Sequence, residues 1–193
     1  MFHSTLIENP ILKLIAERIG ESSMILDVAE GSGVWGFHIK TIVKGNPLMV
    51  GIDIWYPYIK RLKQFNVYDA LILCDARYPP FRNRCFEIVL ACEILEHIEK
   101  DEMNDFLIQL ERLYKKRLVV STPDGFQCSI PRDDNPFQEH ISGISSKELI
   151  DKGFNILIVN KKEPRSIKLF IKIRAFILRR KINKALIGWK DKK

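Results

Sequence analysis

The sequence predicts a doubly wound α/β fold, a mostly parallel sheet with helices on both faces. Short apolar runs alternate with segments of helical periodicity along most of the chain, the pattern of strand–helix–strand units. A glycine-rich turn follows the first apolar run, in ILDVAEGSGVWGFHIK (25–40). Acids stand at or just past the ends of the first four runs: Asp27 and Glu30, Asp53, Asp75 and Glu93. In such sheets ligands bind beyond the carboxyl ends of the strands, near the switch in strand order.

The elements follow in order. In NPILKLIAERIG, Ile11, Leu14, Ile15 and Ile19 recur at helical spacing before Gly20, so a helix comes first. SMILDVA is the first strand, VWGFHIKTIV a helix, and PLMVGIDI the second strand with Asp53 near its end. PYIKRLKQF is helical, ALILCDA the third strand and CFEIVLACEIL the fourth. The helical KDEMNDFLIQLERLYK leads to a fifth strand, RLVVSTP, broken by Pro123. SSKELIDKG is a short helix with Ser145 or Ser146 as cap and Glu148 in its first turn. FNILIVN is the sixth strand.

At 193 residues the chain suits one domain with a substantial core. No run of 18 or more apolar residues is present, which argues against a spanning helix. The first ten residues lack a basic segment followed by an apolar one. Cys74, Cys85, Cys92 and Cys128 form no C-x-x-C pair and read as thiols of a reducing compartment. A cytoplasmic protein is expected. The net charge of +7 divides unevenly, because residues 161–193 hold 13 of the 31 Lys+Arg against Glu163 and Asp191 alone. That segment carries +11 and residues 1–160 carry −4, so binding of nucleic acid by the body is disfavoured.

The turn itself admits two ligands. Gly31-x-Gly33-x-x-Gly36 has the spacing of a dinucleotide loop, yet Asp27 and Glu30 would repel a pyrophosphate. At surface-like dielectric each close pair of unit charges is worth about 1 kcal/mol or more. A cationic nucleoside suits those acids better. Asp53 suits ribose hydroxyls under either reading.

In order and spacing, residues 8–160 resemble the class I S-adenosylmethionine-dependent methyltransferases. Asp27-Val28-Ala29-Glu30-Gly31-Ser32-Gly33 is similar to their first motif, with Ala29 in place of the first glycine. That turn survives an alanine whose φ is negative. LCDARYPPF (73–81), FEIVLACEILEHIEK (86–100), STPDG (121–125) and HISGISSKELIDKGF (140–154) resemble the later motifs. The resemblance implies a Rossmann-like, seven-stranded sheet with its last strand antiparallel, and S-adenosyl-L-methionine as cofactor. It implies cofactor contacts from Asp27, Ala29, Glu30, Gly31, Gly33, Asp53, Ile54, Asp75, Ala76 and Cys92, with Asp75 accepting the adenine amino hydrogen. The acceptor would be a small molecule, a glycan or a lipid-linked compound.

Methyl transfer from a sulfonium needs the acceptor held in line and a base only where a proton must leave. His97 and His140 are the candidates. Glu93-x-x-Glu96-His97 with the distant His140 also resembles a divalent-metal constellation of methyltransferases that act on RNA 3′ ends and quinone precursors. The residue types suit Mg²⁺, Mn²⁺ or Zn²⁺. The alternative leaves Glu96-His97 opening a helix, the acid complementing its dipole. Besides a small-molecule methyltransferase, then, the sequence leaves open a metal-assisted RNA methyltransferase and a non-catalytic S-adenosylmethionine-binding protein.

Residues 161–193 are read as a basic segment of the same domain as the core at 1–160. Ile167, Leu169, Ile171 and Ile173 alternate with mainly basic residues, which predicts a last strand ending near Arg174. Ile171, Ala175, Leu178, Ile182, Ala185, Leu186 and Trp189 fall on one helical face, which predicts an amphipathic helix after it. Such a helix either packs on the sheet with a solvated basic face or lies peripherally on an anionic membrane.

Overall fold

The computed structural model describes residues 10–17, 23–42, 45–129, 134–160 and 184–192. The helices are α1 (Pro10–Ala16), α2 (Val34–Ile42), α3 (Tyr56–Leu62), α4 (Met103–Leu113) and α5 (Ser146–Asp151). The strands are β1 (Met24–Val28), β2 (Leu48–Asp53), β3 (Ala70–Leu73), β4 (Phe86–Cys92), β5 (Tyr114–Pro123), β6 (Asn155–Asn160) and β7 (Lys184–Asp191). They form one sheet in the order β3-β2-β1-β4-β5-β7-β6. β1 to β5 pair in parallel, and β7 runs antiparallel to both β5 and β6. The Rossmann-like expectation holds, with the order reversing between β1 and β4.

Period-two alternation divides the core between the two faces. Leu26, Val28, Val89, Ala91, Leu118, Val120 and Leu186 point to one side, where α4 lays down Met103, Phe106, Leu107, Leu110 and Leu113. The spacing of those five is the apolar stripe of an amphipathic helix. Ile25, Met49, Ile88, Leu90, Val119 and Ile187 point to the other side, against Ile11 and Leu12 of α1, Ile39 of α2 and Leu62 of α3. Each such side chain, fully buried, stabilises the fold by roughly 1.5–3 kcal/mol. α5 begins in a capping box, Ser145 accepting from the Glu148 amide while Glu148 accepts from the Ser145 amide.

The C-terminal segment departs from expectation. Residues 184–191, read from the sequence as part of an amphipathic helix, are the strand β7, which hydrogen-bonds along both edges. The predicted strand over 167–174 and the rest of the predicted helix lie outside the described residues. The run ALIGW is apolar at nearly every position because this strand is buried on both faces, and such a run fits a helical period equally well. Gly188 fits closely there, since a Cβ would stand 3.0 Å from Val120 Cγ2 and 3.2 Å from Ile156 Cδ1. The buried Arg117 of β5 secures this region: it donates to both carboxylate oxygens of Asp191, to Glu17 and to the Leu14 carbonyl. Among the described residues no helix is long and apolar enough to cross a membrane. The membrane reading rested on a helix that residues 184–191 do not form.

Candidate active site

The carboxyl ends of β1, β2, β3 and β4 bring the acids to one edge, and the turn after β1 organises them. Ala29 has φ +56, Gly31 +53 and Gly33 +78, so three residues of this turn are left-handed. The condition set for an alanine here, a negative φ, is not met, and the turn forms with Ala29 left-handed. The turn is held against β2 by the amides of Ala29 and Glu30, which both donate to the Ile52 carbonyl. The Gly31 amide donates to Asp53 Oδ2 at 3.1 Å, and the Trp55 amide to Asp53 Oδ1 at 2.7 Å. Two glycines serve packing: a Cβ on Gly33 would fall 2.6 Å from Leu62 Cδ2, and one on Gly36 2.5 Å from the Tyr68 ring.

Beneath the turn lie carboxyls almost out of water. Asp27 is 1% exposed and accepts from the Tyr68 hydroxyl at 2.7 Å. Burial, which that hydrogen bond only partly offsets, pushes its pKa up to about 7. Glu30 is 4% exposed, and neither of its oxygens has a hydrogen-bond partner among the described residues. Burial, reinforced by the charges of Asp53 and Asp27, raises it to about 9. Burial also raises Asp53. Asp75 differs. Its burial would raise it, but the hydrogen bonds and charge of Arg77 hold it below the ordinary range. Arg77 donates to both Asp75 oxygens and reaches Glu102 at 2.7 Å, so the Asp75 carboxylate, expected to await an adenine amino group, already has a partner.

A cavity of about 410 Å³ opens above this edge. Of the predicted cofactor residues, Ala29, Gly31, Asp53, Ile54, Asp75 and Ala76 line it. Asp27, Glu30, Gly33 and Cys92 are buried outside its lining, and burial puts the Cys92 thiol well above its usual range. Among the described residues the ionisable lining of the cavity is mainly acidic, with Asp53, Asp75, Glu93, Glu99, Glu102 and Glu139 facing one cationic side chain, Arg77. Glu93 is another non-glycine residue at positive φ, +54, and accepts from Ser121. Strained backbone of this kind gathers at functional sites.

The far wall comes from residues the sequence did not single out individually. Asn135, Phe137, Gln138 and Ile141 line the cavity. Asn135 accepts from the Phe137 amide, Phe137 meets Trp55 edge-on with centroids 6.2 Å apart, and Gln138 donates to the Tyr58 hydroxyl. The signal available was only an Asn-Pro turn followed by an aromatic residue. Tyr58 is 80 residues away in sequence.

The candidate metal constellation assembles in part. Ligand atoms of Glu96, His97 and His140 lie within 4.8 Å of one another; Glu93 is not in this group. Glu96 sits on a single tight turn, Leu95–His97, rather than opening a longer helix. The buried Glu96 accepts from Thr122 at 3.0 Å and lies 3.9 Å from His140 Nε2. His97 Nδ1 is 2.8 Å from the Glu139 carbonyl and His140 Nδ1 2.6 Å from the Gln127 carbonyl. A carbonyl only accepts, so both imidazoles carry hydrogen on Nδ1, and in a neutral ring the lone pair then lies on Nε2. Burial lowers the His97 pKa, helped by His140, and keeps this ring neutral near pH 7. His97 lines the cavity, whereas His140 is not part of its lining.

Fold and site together define a doubly wound sheet with a ligand cavity at its switch point. Residues 25–117 match the family described as "Methyltransferase domain", a span running from β1 into β5. No curated protein matches the sequence. Among solved structures, the [4+2]-cyclase SpnF is similar at TM-score 0.65 and 16% identity, over 94% of this chain and 79% of that one. A putative methyltransferase from Bacillus halodurans gives 0.62 and 15%, over 94% and 98%. The Burkholderia thailandensis 1,6-didemethyltoxoflavin-N1-methyltransferase, with S-adenosylhomocysteine bound, gives 0.61 and 15%, over 100% and 80%. Residues 25–117, just under half of the chain, are thus similar to methyltransferase domains, and the chain shares the fold of these solved structures.

Proposed function

We propose that the cavity holds S-adenosyl-L-methionine along the edge formed by Ala29, Gly31, Asp53, Ile54, Asp75 and Ala76, and a small-molecule acceptor against the wall at 135–141. The observation that carries this is the crowd of carboxyls around the left-handed turn, with the orphaned, buried Glu30 among them. The acidic lining of the cavity suits a cationic nucleoside and opposes a pyrophosphate. The cofactor supplies a methyl group on an activated sulfonium. Asp53 braces the turn through Gly31 and Trp55 and presents its remaining lone pairs to ribose hydroxyls. Ala76 offers its backbone to the adenine. Ile94, Ile98, Ile141 and Phe137, the last braced by Trp55, shape an apolar acceptor wall, which suits a small molecule or the organic part of a glycan or lipid-linked compound. His97, neutral with Nε2 unprotonated, is the base where the acceptor must lose a proton.

Calorimetric titration with S-adenosylmethionine tests the cofactor site: wild type binds, and Asp53→Ala weakens binding at least tenfold. Unchanged binding by that variant refutes the assignment. Transfer of radiolabel from the methyl donor to a compound in a small-molecule extract tests the reaction. This second assay decides, because the similar fold of a [4+2]-cyclase means that cofactor binding alone does not establish methyl transfer, and a protein that binds without transferring would fit the non-catalytic reading.

A second reading is favoured by one observation, the two imidazoles with Nδ1 held by backbone carbonyls beside buried Glu96. Carbonyl-held Nδ1 atoms of this sort orient histidine ligands for a metal. Glu96, His97 and His140 would hold a divalent cation that orients hydroxyls of the acceptor. Activity lost on chelation and on His140→Ala supports it; indifference to chelation removes it. An RNA acceptor is not proposed, since the acidic lining opposes a phosphate backbone.

A further inference from the structure

We propose that Arg77 reads the base of the bound nucleoside by donating to its ring acceptors, and that Asp75, expected to accept the adenine amino hydrogen, instead positions Arg77. The inference rests on the cofactor site proposed above. Asp75, Ala76 and Arg77 follow one another beyond β3 and all line the cavity, as does Glu102 at the start of α4. Asp75 has no acceptor capacity to spare. Its Oδ1 accepts from the Arg77 amide at 2.9 Å and from Nε at 3.1 Å, and its Oδ2 from Nε at 3.0 Å and from Nη2 at 2.6 Å. A carboxylate oxygen has two lone pairs, so each is filled.

Arg77 is the reverse, a group with donors left over. Its Nη1 reaches Glu102 at 2.7 Å, so the planar guanidinium is pinned from two elements at once. A guanidinium carries five N–H groups. Three are spent on Asp75 and Glu102, and the others have no acceptor among the described residues. A ligand that covers this end of the cavity must offer them acceptors, because a donor covered without a partner loses its hydration uncompensated. The amino group of adenine donates and cannot serve; the ring nitrogens accept. The 6-carbonyl of hypoxanthine also accepts, and together with N7 it matches the guanidinium fork. This end of the site therefore accommodates a purine with oxygen in place of the amino group, which an unoccupied Asp75 would reject.

Calorimetry with S-adenosylhomocysteine and S-inosylhomocysteine, on wild type and Arg77→Leu, tests this. Wild type is expected to bind the inosine compound as tightly as the adenosine compound, or more tightly. Arg77→Leu releases Asp75 to accept the amino hydrogen, and is expected to prefer the adenosine compound by roughly tenfold, the worth of one hydrogen bond to a charged group. A merely structural role for Arg77 would weaken both ligands alike and leave their ratio unmoved. A wild-type preference for the adenosine compound of about threefold or more, or the same ratio in both proteins, overturns the proposal. Should Arg77→Leu fail to fold, the wild-type ratio still decides. Wild type that binds neither compound overturns the cofactor site itself.

Discussion

Replacing Ala29 with glycine should leave the protein unharmed or slightly more stable, although alanine-to-glycine changes usually destabilise. The left-handed region costs an L-residue about 1–2 kcal/mol, and Ala29 sits there at φ +56. Two effects oppose the relief. Glycine makes the unfolded chain more flexible, worth about 0.4–1 kcal/mol. The methyl group of Ala29, partly buried against the core beside Val28, is worth about 0.4 kcal/mol, half the value of a fully buried carbon. The sum is a stabilisation of about 0.5 kcal/mol, or a rise in Tm of about 1–2 °C for a chain of this size. Ala29→Val, a β-branched residue at positive φ, should lose about 1–3 kcal/mol. Urea denaturation of the three proteins measures both differences. A loss of 1 kcal/mol or more in Ala29→Gly would show that the turn is not left-handed at this position, and would remove the geometry on which the cofactor edge depends.

Other perturbations follow from the buried charges. Folded-state values of Asp27 and Glu30 are raised to about 7 and about 9 from 3.8 and 4.5. Their contribution to stability is therefore full at acid pH and is lost as pH rises through those values. Without cofactor, Tm should fall between pH 6 and pH 9, and Glu30→Gln should flatten the upper part of that decline; a Tm that climbs across this window contradicts the assignment. Arg117→Leu should cost about 2 kcal/mol in chemical denaturation, the worth of charged hydrogen bonds. The cost stays below that of breaking a fully buried pair because its partners Glu17 and Asp191 are 59% and 33% exposed and return to water. A loss under 0.5 kcal/mol would mean that the clasp does not hold β7 to β5.

Sequence alone determined what depends on local pattern. Alternating apolar runs placed strands β1 to β6 and the helices between them, because period two and period 3.6 are read from neighbouring residues. Ser145 or Ser146 with Glu148 announced the start of α5 for the same reason, the structure choosing Ser145 as the cap, and the acids after the strands marked the edge at which the cavity opens. Tertiary structure decided the rest. Residues 184–191 became a strand because β5 and β6 left a doubly buried slot between them, and an apolar run cannot by itself say which period it will adopt. Ala29 became left-handed because its amide and that of Glu30 are pulled to the Ile52 carbonyl of β2 and the Gly31 amide is tied to Asp53. Phe137 and Gln138 joined the site only through Trp55 and Tyr58, whose distance along the chain hides the contact. Whether Glu30 carries a charge was settled by burial beside Asp27 and Asp53, and burial is a property of the folded chain that no stretch of residues contains.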